Sequence, residues 1–332
     1  MQCKAVTLKR RPMGIPTPDD FSVITTEVAS PENGQVQVRN VCMSVDPYMR
    51  GRMIERKSYV PPFQIGEILN GGAIGRVSAS RHPDFKEGDY VQNGFGWREA
   101  FCADASTLTS LGELKAPASA YLGAIGMPGM TAYVGLLEVG ALKEGETVFV
   151  SGGAGAVGSI VGQIARIKNA RVIGSAGTAE KVAWLKDDLG FDYAFDYHDG
   201  AIEAHLKEAA PDGIDVYFDN VGGDHLQAAL NNMRPFGRIP LCGAISQYNA
   251  TAPVPGPNNL AMAIGLGLTL RGFIVSHFNH LAKQFRQQME TWVSHGDITY
   301  QETIYQGVDK APDAFIGLFT GANTGKMIVT LE

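Results

Sequence analysis

Thr147-Val148-Phe149-Val150-Ser151-Gly152-Gly153-Ala154-Gly155-Ala156-Val157-Gly158 decides the fold. Its first five residues are a short apolar run of β-branched and aromatic side chains, as in a buried strand. Gly153, Gly155 and Gly158 then match the spacing G-x-G-x-x-G. Beyond them Ile160, Val161, Ile164, Ala165 and Ile167 recur at helical spacing, and Arg171 to Ser175 reads as a second buried strand. Among 40 glycines the motif alone would be weak. Strand, glycine turn, helix and strand together mark a dinucleotide site. Such glycines let the backbone of Gly153, Gly155, Ala156, Val157 and Gly158 approach a pyrophosphate. The helix behind them adds unpaired N–H groups and the positive end of its dipole.

The second strand indicates which dinucleotide. A site for NAD places Asp or Glu about 20 residues beyond the first glycine, on the ribose 2′-hydroxyl. Here the chain reads Ile173-Gly174-Ser175-Ala176-Gly177-Thr178, with no acid before Glu180, and Lys181 follows. Gly174 and Ser175 leave room for a 2′-phosphate, Lys181 can neutralise it, and Gly177 beside them is a further cofactor-binding candidate. The alternative for Lys181 is an ordinary solvated helix lysine. The predicted cofactor is NADPH.

A length of 332 residues suggests two domains. With 45% hydrophobic and 19% charged residues, the composition is that of a globular protein with ample core. A net charge of −6 argues against nucleic-acid or anionic-membrane partners. Met1-Gln2-Cys3-Lys4 does not open a signal peptide, and Leu260 to Leu270 is too short and glycine-rich to span a bilayer, so the cytoplasm is the expected compartment. Cys3, Cys42, Cys102 and Cys242 are too widely spaced for a disulfide framework or a zinc ribbon.

Residues 1–118 alternate in short segments, such as Gln35 to Val41 and Gly75 to Val77, between Pro and Gly clusters. That pattern predicts a mostly antiparallel barrel or sandwich. From residue 119 to about 295, strands and helices alternate. Strands are expected over Thr147–Ser151, Arg171–Ser175, Tyr193–Asp196, Ile214–Asp219, Arg238–Cys242 and Thr269–Val275. Helices are expected over Thr131–Leu137, Ala179–Leu189, Ile202–Ala209 and Asp224–Asn231. The fold class is therefore α/β, a doubly wound parallel sheet of the Rossmann type with a second domain. A helix is expected from Leu281 to Trp292, and the chain crosses back somewhere between Val275 and Asp297. Residues from about 296 to 332 then hold a helix near Pro312–Phe319 and a strand over Lys326–Leu331, and pack onto the first domain.

Five stretches carry a resemblance. They are Ser44-Val45-Asp46-Pro47-Tyr48-Met49-Arg50-Gly51-Arg52-Met53, Gly126-Met127-Pro128-Gly129-Met130-Thr131-Ala132-Tyr133, Phe218-Asp219-Asn220-Val221-Gly222-Gly223, Cys242-Gly243-Ala244-Ile245-Ser246-Gln247-Tyr248-Asn249, and Gly325-Lys326 after Asn323. Over nearly its whole length the chain resembles the medium-chain dehydrogenase/reductase superfamily. More narrowly it is similar to the zinc-independent alkenal and prostaglandin reductase branch, which includes bacterial curcumin reductases. The resemblance implies that the antiparallel domain is GroES-like. It also implies a homodimer joined through the Thr269–Val275 strands. One departure is Gly152-Gly153, where relatives often carry alanines. Zinc-dependent members place a His before a Glu and add cysteines around the metal. Here Gly66 precedes Glu67, no cysteine cluster exists, and the seven histidines are scattered, so no metal is expected.

Direct carbonyl reduction builds charge on oxygen that zinc or an acid must stabilise. Hydride addition to the β-carbon of an enone spreads that charge into an enolate, which one hydrogen-bond donor can stabilise. The expected substrates are α,β-unsaturated ketones and aldehydes. Tyr248, in the loop after the fifth strand of the sheet, is the first choice for the donor, and the resemblance also puts it near the nicotinamide. Tyr48 and Tyr59 are candidate substrate-pocket partners from the other domain; the alternative for each tyrosine is a packing residue. The resemblance further places Met127, Thr131 and the Phe273–Val275 backbone at the nicotinamide. It sets Asn220, Cys242 and Asn323 beside the cofactor and Tyr197 at the 2′-phosphate. Cys242 reads equally as a small core residue. A quinone oxidoreductase of the same superfamily and a non-catalytic NADPH-binding protein are the competing readings.

Overall fold

In the computed structural model, which describes every residue from Met1 to Glu332, the chain divides into two units. One comprises Met1–Leu122, Glu302–Asn323 and Met327–Glu332; the other comprises Gly123–Gln301 and Thr324–Lys326. The chain thus leaves the second unit after Gln301, a few residues beyond the crossing expected from the sequence.

The first unit opens with a ribbon of β1 (Gln2–Leu8) and β2 (Phe21–Glu27), antiparallel from Gln2↔Glu27 to Leu8↔Phe21. β3 (Gln35–Ser44), the single helical turn α1 (Met49–Arg52), β4 (Ala73–Ser80), β5 (Tyr90–Asn93), β6 (Ala100–Asp104) and β7 (Thr109–Ser110) follow. In β3 the strand period of two turns Val36, Val38, Asn40 and Cys42 inward while Arg39 faces out. β3 pairs antiparallel with β4, and its first half, Gln35 to Arg39, also pairs with β6.

The second unit alternates helices and strands. Its elements are α2 (Met127–Val134), β8 (Thr147–Val150), α3 (Gly158–Ile167), β9 (Arg171–Ala176), α4 (Ala179–Ala183), β10 (Tyr193–Asp196) and α5 (Ile202–Ala209). Then come β11 (Ile214–Phe218), α6 (Gly223–Leu230), β12 (Met233–Leu241), α7 (Met262–Gly265), β13 (Thr269–Gly272) and α8 (Ala282–His295). All five strand pairings are parallel, in the order β10-β9-β8-β11-β12-β13. The direction of winding reverses between β8 and β11, the switch point at which such sheets bind ligands. One sheet face buries Phe149, Ile173, Phe195 and Tyr217 against residues of α5 and α6. Fully burying a ring such as Phe149 contributes about 1.5–3 kcal/mol.

The returning chain completes the first unit with β14 (Glu302–Gln306), α9 (Ala311–Gly317) and β15 (Lys326–Thr330). They finish a seven-stranded sheet ordered β14-β15-β3-β4-β5-β7, with β6 on β3. Its core is aromatic: Phe21 stacks on the fully buried Trp97 at 6.0 Å, and Phe315 meets Trp97 edge-on at 6.0 Å.

Several elements differ from those read off the sequence. α2 begins at Met127 rather than Thr131, because Gly126 caps it and Pro128 suits the first helical turn; it then loosens into a π-helical turn over Gly135–Val139. β12 begins at Met233, and its register against β11 shifts between Ile214 and Val216. β13 stops at Gly272, where its pairing with Leu241 of β12 runs out, and Val275–Leu281 forms a helical turn instead of strand. β13 is also mostly exposed in the single chain and not a buried strand.

Candidate active site

β8 runs into the glycine turn because only glycine accepts the backbone needed there. Gly152 has φ +60°, and a Cβ on Gly158 would sit 2.3 Å from the Gly152 carbonyl oxygen. The turn is held from three sides. Gly155 donates to Gly152 at 3.0 Å, Gly153 donates to the Ser175 carbonyl at 2.8 Å, and Gly325 donates to the Ala154 carbonyl at 2.8 Å. Ala156 and Val157 lead into the ten residues of α3, whose Ser159, Ile160 and Val161 amides donate back to the carbonyls of Gly155 and Val157. Gly153, Gly155, Ala156, Val157 and Gly158 therefore share one turn.

The tip of β9 forms the adjoining corner. Thr178 caps α4, its side chain accepting the Lys181 amide at 3.3 Å. Tyr197, at the tip of β10, lies over Gly177: a Cβ there would be 3.2 Å from the ring. Desolvation holds Lys181 below the usual lysine range, so an anion beside it would be bound in a partly dry setting. Ser175 is more enclosed than the sequence suggested. Its side chain is fully buried, with a hydroxyl that has no hydrogen-bond partner, and it pairs across the sheet with Phe195. Ser175 serves the turn through its carbonyl, and Gly177, Lys181 and Tyr197 form the corner.

The tips of β11 and β12 supply the other side. Asn220 donates its side-chain amide to the Ser151 carbonyl at 2.9 Å and its backbone N–H to the Ser151 hydroxyl at 3.0 Å. Cys242 donates its amide to the Asp219 carbonyl at 2.9 Å. Desolvation, with Asp219 adding, pushes its thiol up to about 12, so it acts as a neutral packing group. Tyr248 follows a short helical turn over Ile245–Gln247, and its hydroxyl oxygen accepts the Ala244 amide at 3.3 Å. A phenol that accepts a bond at oxygen is the better donor through its proton. Thr131, one turn into α2, donates its hydroxyl proton to the Met127 carbonyl at 2.8 Å, which leaves its oxygen lone pairs to accept. Phe273 lies just past β13, edge-on to Phe218 at 6.3 Å, and Val275 begins the next turn.

Tyr48, Tyr59 and Asn323 belong to the first unit. Burial holds the Tyr48 phenol above its usual range, Asp46 reinforces this, and Arg52 opposes it partly by a hydrogen bond. Arg52 is itself clamped: Nε donates to the Pro61 carbonyl at 2.9 Å, Nη1 donates to Asn70 Oδ1 at 2.6 Å, and the guanidinium lies 3.9 Å from the Phe63 ring centroid. Tyr59 is 62% exposed and within electrostatic reach of both Tyr48 and Arg52. The sequence reading did not single out Arg52, although its spacing of four from Tyr48 on a helical turn was a usable signal. It also passed over Ser151, Tyr217 and Asp219. Their polarity in buried strand ends was the clue.

No helix is long and apolar enough to cross a membrane. No group of three or more His, Cys, Asp or Glu side chains is placed to hold a metal ion.

A doubly wound unit with a glycine turn, joined to a mostly antiparallel unit, is an architecture of nucleotide-dependent oxidoreductases. Profiles described as "N-terminal domain of oxidoreductase" and "Zinc-binding dehydrogenase" match residues 4–111 and 156–294. The provisionally named NADP-dependent oxidoreductase YfmJ of Bacillus subtilis (strain 168) is 48% identical over 331 residues, covering 98% of this chain and 97% of that protein. The NADPH-dependent curcumin reductase of Escherichia coli (strain K12) is 43% identical over 327 residues, covering 97% and 95%. The crystal structure of CurA in complex with NADPH from Vibrio vulnificus matches with a TM-score of 0.95 at 41% identity, covering 99% of both chains. The chain belongs to the medium-chain dehydrogenase/reductase superfamily, in its alkenal, prostaglandin and curcumin reductase branch. The second profile's description names zinc, but the donor set needed to hold that metal is not assembled in this chain.

Proposed function

We propose that this protein is an NADPH-dependent reductase of the carbon–carbon double bond of α,β-unsaturated ketones and aldehydes, working without a metal. The observation that carries the reading is the second unit itself. A glycine turn with a partly buried lysine at its far corner lies on the same sheet as a tyrosine backed by an amide. The named activities of the relatives point the same way.

The residues fit the cofactor. The turn from Gly153 to Gly158 would hold the pyrophosphate, Lys181 and Tyr197 the 2′-phosphate, and Met127, Thr131 and the backbone at Phe273 and Val275 the nicotinamide. When bound, NADPH supplies a hydride. Tyr248 would donate a hydrogen bond to the substrate oxygen as enolate charge develops there, with the Ala244 amide strengthening the donor. Tyr48 and Tyr59 would contact the substrate. We further propose that the protein works as a homodimer through the β13 edge.

The test is to incubate the purified protein with NADPH and a panel of enones, alkenals, curcumin and quinones, and to identify the products. Saturated ketones or aldehydes are expected. Allylic alcohols, or turnover of quinones alone, would overturn the reading.

A further inference from the structure

The buried carboxylate of Asp219 has no place in the chemistry above, yet it is the most heavily bonded side chain near the switch point. It is 1% exposed, and a single oxygen, Oδ1, accepts from four groups. These are the Tyr217 hydroxyl at 2.7 Å, the Gly222 amide at 2.7 Å, the Val221 amide at 3.0 Å and the Ser151 hydroxyl at 3.3 Å. Tyr217 and Ser151 also lie 3.0 Å apart, oxygen to oxygen. Each hydroxyl has one proton, so the contacts form a connected chain that ends on Asp219. The Asn220 amide donates to Ser151, and the Ser151 and Tyr217 hydroxyls, in contact with each other, both donate to Asp219.

This chain joins two strands at their carboxyl ends. Ser151 directly follows β8 and precedes Gly152 of the glycine turn, whereas Asp219 and Asn220 directly follow β11. β8 and β11 are the neighbours between which the sheet reverses. Asp219 also gathers the amides leading into α6, where Gly222 and Gly223 take φ +72° and +54° and no side chain caps the helix. The Lys181 corner lies on the opposite side of the turn, beyond β9. Burying a carboxylate is costly unless its partners are fixed, so a network of this kind holds one arrangement of the loops it joins.

We propose that Asp219, through Tyr217 and Ser151, is a positioning residue for the dinucleotide. It sets the start of the glycine turn against Asn220, and so serves the pyrophosphate and nicotinamide half of the cofactor but not the adenosine 2′-phosphate half. The inference rests on the NADPH reading above, but its test is binding and not turnover.

Tyr217→Phe, Ser151→Ala and Asp219→Asn are compared with wild type for binding of NADPH and of adenosine 2′-monophosphate, which carries the 2′-phosphate but no part of the pyrophosphate. Thermal melting is followed alongside. Tyr217→Phe keeps the ring, and with it the packing against Phe149. Weakening of NADPH by about tenfold per lost bond is expected, with adenosine 2′-monophosphate affinity unchanged. Equal loss for both ligands would mean general loosening, and no loss for either would mean an inert core network; each overturns the proposal. Failure of wild type to bind NADPH would sink both readings. NADPH binding with the expected split, but without enone reduction, would remove the reductase reading and leave this one standing.

Discussion

The backbone N–H of Gly153 donates to the carbonyl of Ser175 at 2.8 Å, tying the glycine turn after β8 to the tip of β9. Through that bond the glycine turn is held beside the tip of β9, which leads to Gly177. It also draws Ser175 into the buried side of the turn.

Lys181→Ala should weaken NADPH by roughly 1.5–3 kcal/mol, the scale of a charge-assisted hydrogen bond. NADH, which lacks the 2′-phosphate, should bind nearly as before. Titrating both cofactors into wild type and variant checks this. Equal weakening of both would move Lys181 from recognition to folding.

Tyr248→Phe removes a donor and keeps the ring. Turnover should fall by up to about a hundred- to thousandfold, the usual cost of losing one oxyanion donor. NADPH affinity should hardly change, since the Ala244 amide already occupies the phenol from behind. Steady-state rates and cofactor binding measured side by side give the answer. Undiminished turnover with rate-limiting hydride transfer would shift the role to Tyr48 or Tyr59.

Prolonged chelation should leave enone reduction unchanged, because no cluster of three metal ligands is assembled. Activity lost to a chelator and restored by zinc would refute metal-free chemistry.

His225, in the first turn of α6, is 4% exposed, with Nε2 lacking a partner. Desolvation pulls it down from 6.5 to about 4, with Asp224 opposing only weakly. The unfolded chain therefore takes up this proton before the folded one does. The neutral ring contributes stability above the unfolded value of 6.5 that is lost as pH falls toward 4. The full effect is on the order of 3 kcal/mol. Denaturant unfolding of wild type and His225→Phe across that window should show a shallower acid-side decline in the variant. Parallel curves would contradict the shift.

β13 ends the parallel sheet with an open, largely exposed edge, which proteins ordinarily cover. Light scattering at micromolar concentration should report a dimer. Placing a proline at Leu270 should shift it toward monomer if the edge pairs.

The sequence by itself determined the second unit almost element for element. Residues packed on both faces of a parallel sheet must be apolar, so β8, β9, β10 and β11 show as short hydrophobic runs, and the glycines mark a turn that other residues strain to enter. Tyr193–Asp196 and Ile202–Ala209 match their elements residue for residue. Tertiary structure decided what local pattern does not encode. β13 ends where its neighbour's pairing ends, and β12 starts early because β11 offers partners through a shifted register. Ser175 looks like a small residue that opens a pocket, until its place beside Phe195 buries it. The chain from Ser151 through Tyr217 to Asp219 joins residues more than sixty positions apart. Such a bond exists only once the sheet sets β8 beside β11, since hydrogen bonds act over ångströms of space and not over sequence.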